Sequence, residues 1–178
     1  MTVVRAFRLD EDLDEALRRA SEEEGESVNV IANRILRRFV EWDRPAGKMG
    51  LMEISREELV KLIDAQSTDQ ARSLGAWVGI DILEPFVRYL HPTVNLGTFI
   101  DSLELLARYS NRFEFDHTVE EKKHMLVIRH SMGAKWSAFY EGAASSMLRD
   151  LLHINFESST TDELCSFKFE LEAEGHGR

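Results

Sequence analysis

A histidine, a glycine and a lysine meet at His130-Ser131-Met132-Gly133-Ala134-Lys135-Trp136-Ser137, where a predicted strand gives way to a predicted helix. A glycine at a helix start leaves backbone amides open beside two basic side chains, which is the chemistry of an anion site. His130, Gly133, Lys135 and Trp136 are therefore the candidate anion or ligand residues. The reading we favour for the same segment is structural: Gly133 relieves backbone strain at the turn and Trp136 belongs to the core. Six histidines raise the question of a metal. His117 and His124 flank a predicted hairpin turn and could face each other across it. No His-x-x-x-His, no Cys-x-x-Cys and only a lone Cys165 among apolar neighbours accompany them, so surface histidines are favoured and no metal site is expected. No glycine-rich phosphate loop, nucleophile elbow or paired-carboxylate motif appears, so the chain is expected not to be an enzyme and to need no cofactor.

The elements that must position these groups belong to an ordinary folded chain. Its 178 residues, 43% hydrophobic and 30% charged, suffice for one medium domain or two small ones. No apolar run approaches the roughly 20 residues that span a bilayer, no signal-peptide pattern opens the chain, and one cysteine cannot make an internal disulfide. A cytoplasmic location is the default expectation. The net charge of −10 argues against nonspecific nucleic-acid binding by the whole molecule. Residues 1–49 carry a net of −2 and residues 50–178 a net of −8. Any DNA contact must come from a local patch.

The first 43 residues read as a short strand and two amphipathic helices. Val3 to Leu9 alternates, with Phe7 and Leu9 on one face and Val4, Ala6 and Arg8 on the other. Asp10 offers an N-cap and Gly25 a helix stop. Ser27 caps a second helix whose apolar residues, Val28, Ile31, Ala32, Ile35, Leu36, Phe39 and Val40, form a stripe too wide for the first helix to cover. The strand lacks a partner within the segment. Both features predict a second copy of the chain as the cover, with Phe7, Leu9, Ile31, Ile35 and Phe39 as the dimer core.

Strand, Asp-capped helix, Gly-x-Ser turn and second helix, in that order and spacing, resemble the ribbon-helix-helix (MetJ/Arc-type) DNA-binding fold over roughly residues 2–43. The resemblance implies that two strands pair antiparallel across a dimer axis and enter the major groove. Thr2, Val4, Ala6 and Arg8 would then face the bases. Only Arg8 and Thr2 among them can hydrogen-bond to a base edge, whereas readers of sequence in that family usually place polar or basic residues there. The amides at the start of the second helix, here Ser27, Val28 and Asn29, would clamp a phosphate. Arg5 falls on the inner face, where it requires an open strand end. Arg34, Arg37 and Arg38 read first as a solvated or acid-paired face, and second as phosphate contacts. The segments SVNVIANRILRRFVEWD and His-x-x-Gly-x-Lys-Trp-Ser also resemble a family of uncharacterised proteins that joins such a start to a C-terminal α+β domain.

Residues 45–54 are the expected linker between a ribbon-helix-helix domain over 1–44 and a C-terminal domain over 55–172, with 173–178 as a flexible tail. In the C-terminal part Ser55-Arg56-Glu57-Glu58 is a capping box. Helices are predicted from Thr68, over Asp81 to Leu90, and from Asn95 to Tyr109. A hairpin follows from Arg112 to His130, then a long helix from Gly133 to about Leu152, then strands over 153–158 and 164–171. The run Gly142-Ala143-Ala144-Ser145-Ser146 would let the long helix approach a neighbour closely. The expectation is an α+β chain with a β-β-α-β-β C-terminal domain and a four-stranded sheet.

The function expected is that of a homodimeric DNA-binding transcriptional regulator, whose C-terminal domain oligomerises further or senses a ligand. Two other readings use the same residues. In one the ribbon-helix-helix only dimerises, within a protein–protein scaffold. In the other the chain is a small-molecule sensor, with an apolar cavity lined by Trp136, Phe139 and Phe167 between the long helix and the sheet.

Overall fold

The computed structural model describes residues 3–171 of the chain. Thr2 and the expected tail, 173–178, lie outside the described residues. The chain divides into two compact units, with the break between Lys48 and Met49.

In the first unit, α1 (Glu11–Glu24) begins after Asp10, whose extended backbone (φ −69°, ψ 149°) lets its carbonyl accept the Asp14 amide at 3.0 Å. Glu11, Asp12 and Asp14 place negative charge at the positive end of the helix dipole. Gly25 ends the helix at φ +66°, a left-handed conformation that costs glycine little. Ser27 caps α2 (Val28–Arg38) by accepting the Val30 amide at 3.3 Å. Between the helices, the Ser21 hydroxyl donates to the Glu26 carbonyl at 2.5 Å and ties the turn.

Two expectations need correction in this unit. Residues 3–10 form no strand, so the β-α-α order is not present within one chain. A strand exists only by pairing, and among the described residues no segment pairs with this one. Nor is the expected linker wholly irregular. The second helix runs on through a π-helical turn, Phe39–Asp43, into α3 (Arg44–Lys48), with Pro45 buried. Proline cannot donate to the carbonyl four residues back, and its ring crowds that carbonyl. The helix widens just before it instead, and the Arg44 amide reaches Phe39 O, five residues back.

The second unit repeats the device. α4 (Arg56–Asp64) carries the Ser55–Glu58 capping box. α5 (Thr68–Val78) is capped by Ser67 with Gln70, one residue ahead of the expected Thr68. A π-helical turn, Gly79–Leu83, carries α5 into α6 (Glu84–Leu90), so two expected helices are one run widened ahead of Pro85. α7 (Leu96–Ser110) starts at Asn95, which accepts from Thr98, and ends at Asn111 with φ 56°.

A hairpin, β1 (Glu114–Glu120) and β2 (Lys123–Arg129), follows, then α8 (Ala134–Ser145), then β3 (Glu157–Thr160) and β4 (Leu164–Glu170). The four strands form one antiparallel sheet in the order β1-β2-β4-β3. β3 starts later than expected, because α8 continues as a π-helical turn to Leu151 and the chain then breaks at His153, φ 55°. α8 is the centre of this unit: eight of its twelve residues are buried, so it is covered on all sides rather than along one stripe. Phe167 and Leu126, opposite each other on β4 and β2, are 0% and 1% exposed in the core beside it.

Against α5 the contact of α8 is backbone on backbone. A β-carbon on Gly75 would stand 1.9 Å from the Phe139 carbonyl oxygen, and one on Gly142 would stand 2.1 Å from that of Arg72. No helix among the described residues is long and apolar enough to cross a membrane.

Candidate functional site

The N-terminal unit leaves several large apolar side chains exposed. Phe7 is 69% exposed, Ile35 52% and Phe39 53%, and Leu9 is exposed with them. Of the five expected dimer-core residues, only Ile31 is buried within one chain, at 4%. α1 packs against α2, yet Ile35 and Leu36 on α2, and Phe39 and Val40 on its continuation, stay exposed. Every residue from Val3 to Asp10 is exposed, so the two faces of that segment are not distinguished by burial.

Cations in this unit sort into two groups. Arg34 is held by Glu24 and by Glu26, the latter at 2.6 Å. Arg37 pairs with Glu41 at 3.0 Å and Arg38 with Asp43 at 3.3 Å. These arginines form the acid-paired face anticipated for them. Arg5 and Arg8, exposed on the 3–10 segment, have no ion pair among the described residues. The amides of Val28 and Asn29, in the first turn of α2, have no hydrogen-bond partner there either, while the amides of Val30 and Ile31 bond back to Ser27.

The segment His130 to Ser137 serves the fold. His130 is not a surface histidine, being 8% exposed. Its Nδ1 accepts the Met132 amide at 3.3 Å, which leaves the proton on Nε2, and Nε2 lies 3.0 Å from the Ser137 hydroxyl. A ring nitrogen that donates to a hydroxyl cannot also take its proton, so this pair does not make a nucleophile. Burial holds the imidazole below the usual histidine range. The Cys165 thiol donates to the Ser137 carbonyl at 2.9 Å, and its own burial, with the Glu141 carboxylate adding, pushes it up to about 12. It is an unreactive thiol. Gly133 takes φ +87° as the N-cap of α8. Lys135 donates to the Asp64 carbonyl at 2.7 Å, at the end of α4, and Trp136 is 3% exposed. Its four candidate anion residues thus join α4, β2 and α8, and one of the ammonium's three protons is taken by the Asp64 carbonyl.

His117 and His124 do meet across the hairpin, Nε2 to Nδ1 at 3.0 Å with the rings stacked. The hydrogen bond occupies one nitrogen of each ring. Among the described residues no third histidine, cysteine or carboxylate joins them in a cluster that could hold a metal.

The anticipated ligand cavity is only partly where it was expected. Phe167, expected in its wall, is fully packed. An apolar cavity of about 130 Å³ lies among α6, α7, α8 and Ile128 of β2, with Leu83, Phe86, Leu103 and Phe139 in its walls. Phe139 is the only one of the three expected lining residues found there. Arg112 and Tyr140, which line it too, were not singled out by sequence reasoning: one lies just before a strand and the other on a core helix, 28 positions later. No protein-family model, curated protein or solved structure matches this chain closely enough to assign it to a family.

Proposed function

We propose that this chain is a homodimeric DNA-binding transcriptional regulator of ribbon-helix-helix type, with its second unit as a sensing or oligomerising domain. The observation that carries the reading is the exposed apolar surface of the N-terminal unit: Phe7 and Leu9 on the 3–10 segment, and Ile35, Leu36, Phe39 and Val40 on the second helix and its continuation. Large side chains left in water over a contiguous element mark an interface. Its occupant is a second copy of the same segment. Residues 3–10 have no ladder partner among the described residues, and an unpaired strand is complemented by another strand. Two copies related by a twofold axis satisfy each other with no further component.

In that arrangement Arg8 reaches the base edges from the paired strands, and the amides of Val28 and Asn29 receive a phosphate at the start of α2. Arg5 is free for a backbone contact. Val4, Ala6 and Ser27 complete the surface facing DNA. Full chain titrated with short genomic duplexes in fluorescence anisotropy tests this. Affinity should fall steeply as salt rises, because neutralised phosphates release counterions, and should weaken in Arg8→Ala. Absence of salt-sensitive binding at low ionic strength refutes the DNA reading.

A second reading draws support from the pairing of Arg34, Arg37 and Arg38 with carboxylates, and from the apolar character of Val4 and Ala6. In it the N-terminal unit dimerises a protein–protein scaffold without touching DNA. Arg8→Ala then changes nothing, whereas Ile35→Asp still breaks the dimer.

A further inference from the structure

The second unit contains a cavity whose walls and mouth differ in chemistry, and the difference specifies a ligand. Leu83, Phe86, Leu103 and Phe139 give it apolar walls, and its volume is about 130 Å³. An apolar cavity of about 150 Å³ is dry and accepts benzene, so this one has room for about one six-membered ring. Two of the residues around it carry polar ends, Tyr140 and Arg112. Tyr140 is 6% exposed, and its hydroxyl is a buried polar atom with no hydrogen-bond partner among the described residues. Arg112 is half-buried and makes no ion pair or hydrogen bond among them. It lines both the cavity and the open cleft beside it, where Arg56 donates to Ser131 Oγ and to the Asn111 carbonyl, at 3.1 Å each. Arg112 therefore stands where the cavity meets solvent.

We infer that this cavity binds a small monocarboxylate, its apolar body of about one ring among Leu83, Phe86, Leu103 and Phe139 and its carboxylate on Arg112 and Tyr140. A guanidinium with no partner of its own is the side chain best shaped to take a carboxylate, because its fork matches the two oxygens. The phenol adds a neutral donor: burial pushes its titration well up, with the Arg112 and Arg56 charges opposing, so it keeps its proton. An uncharged ring fills the walls and leaves both donors unanswered. A phosphate answers the donors and leaves the walls empty. Only a molecule with both parts satisfies the site. The inference concerns the second unit and does not depend on DNA binding by the first.

Isothermal titration of the full chain with sodium benzoate and, separately, toluene tests it. Wild type should bind one benzoate per chain, at least tenfold more tightly than toluene. Arg112→Gln should abolish that preference while leaving toluene affinity and the unfolding midpoint unchanged. Tyr140→Phe, which removes one oxygen and no wall, should weaken benzoate several-fold and toluene not at all. The inference is overturned if benzoate shows no saturable binding, if Arg112→Gln and Tyr140→Phe both bind it as wild type does, or if benzoate and toluene bind wild type equally.

Discussion

Gly75→Ala puts one methyl group into the closest contact of the second unit. Its β-carbon would lie 1.9 Å from the Phe139 carbonyl oxygen, 2.8 Å from the carbonyl carbon and 3.0 Å from the α-carbon. Carbon and oxygen that are not bonded approach to about 3.3 Å, so α5 and α8 must part by roughly 1.4 Å. No rotamer offers relief, since all three atoms are backbone. The same crossing is fixed at two other points. Gly142 faces the Arg72 carbonyl, and Gly79 would meet Ser146 Oγ at 2.1 Å and the Ala143 carbonyl at 2.6 Å. Parting the helices also stretches the 3.0 Å bond between Arg72 and Glu141. Overpacking of this kind costs about 3 kcal/mol, the upper part of its usual range. Alanine recovers about 1 kcal/mol through its better helix propensity. A net loss of about 2 kcal/mol follows, or roughly 4–8 °C in the unfolding midpoint. Thermal unfolding followed by circular dichroism reads it. Gly47→Ala is the control, because a β-carbon there meets nothing within 4 Å, and it should cost nothing. If Gly75→Ala melts at or above wild type, the backbone contact described is not the one that holds the unit together.

Three further predictions come from other parts of the molecule. Ile35→Asp sets a carboxylate into the proposed dimer face of both copies, at roughly 2 kcal/mol or more per copy, and should weaken self-association about a thousandfold in sedimentation equilibrium; unchanged self-association would remove Ile35 from that face. His130 and His117 both titrate below the usual histidine range: burial is the cause at His130, and at His117 burial comes first, then the His124 charge, against the pull of Glu104. The unfolded chain therefore binds more protons once the pH drops below about 6.5, so denaturant stability should be full above that value and fall beneath it, with a shallower fall in His130→Gln; equal pH profiles would count against a buried neutral imidazole. Tyr140→Phe removes a buried hydroxyl that has no partner, and in ligand-free protein should raise stability by about 1 kcal/mol in urea unfolding, where a loss would mean the hydroxyl is bonded.

What the sequence disclosed was mostly local. Ser27, Ser55 and Asn95 act as caps where their side chains sit ahead of apolar periodicity, and Gly25 stops α1, since each contact spans a few residues. The close approach of α8 to a neighbour showed in Gly142 and its small companions. The π-helical turns did not show. Pro45 reads as a linker signal and Pro85 as a first-turn proline, while the structure absorbs each by widening the helix before it. The burial of His130 and the meeting of Arg112 with Tyr140 depend on tertiary contacts that no spacing encodes. Residues 3–10 are the reverse case. Their alternation anticipates a strand that the described residues of one chain do not form, and the proposed second copy would supply its pairing.

The mass of the protein in solution tests that proposal most directly. Sedimentation equilibrium at micromolar concentration should return twice the 20.5 kDa chain mass, or an even multiple of it, with Phe7→Asp lowering it. A mass of one chain across that range would contradict the paired ribbon, and the DNA reading would go with it.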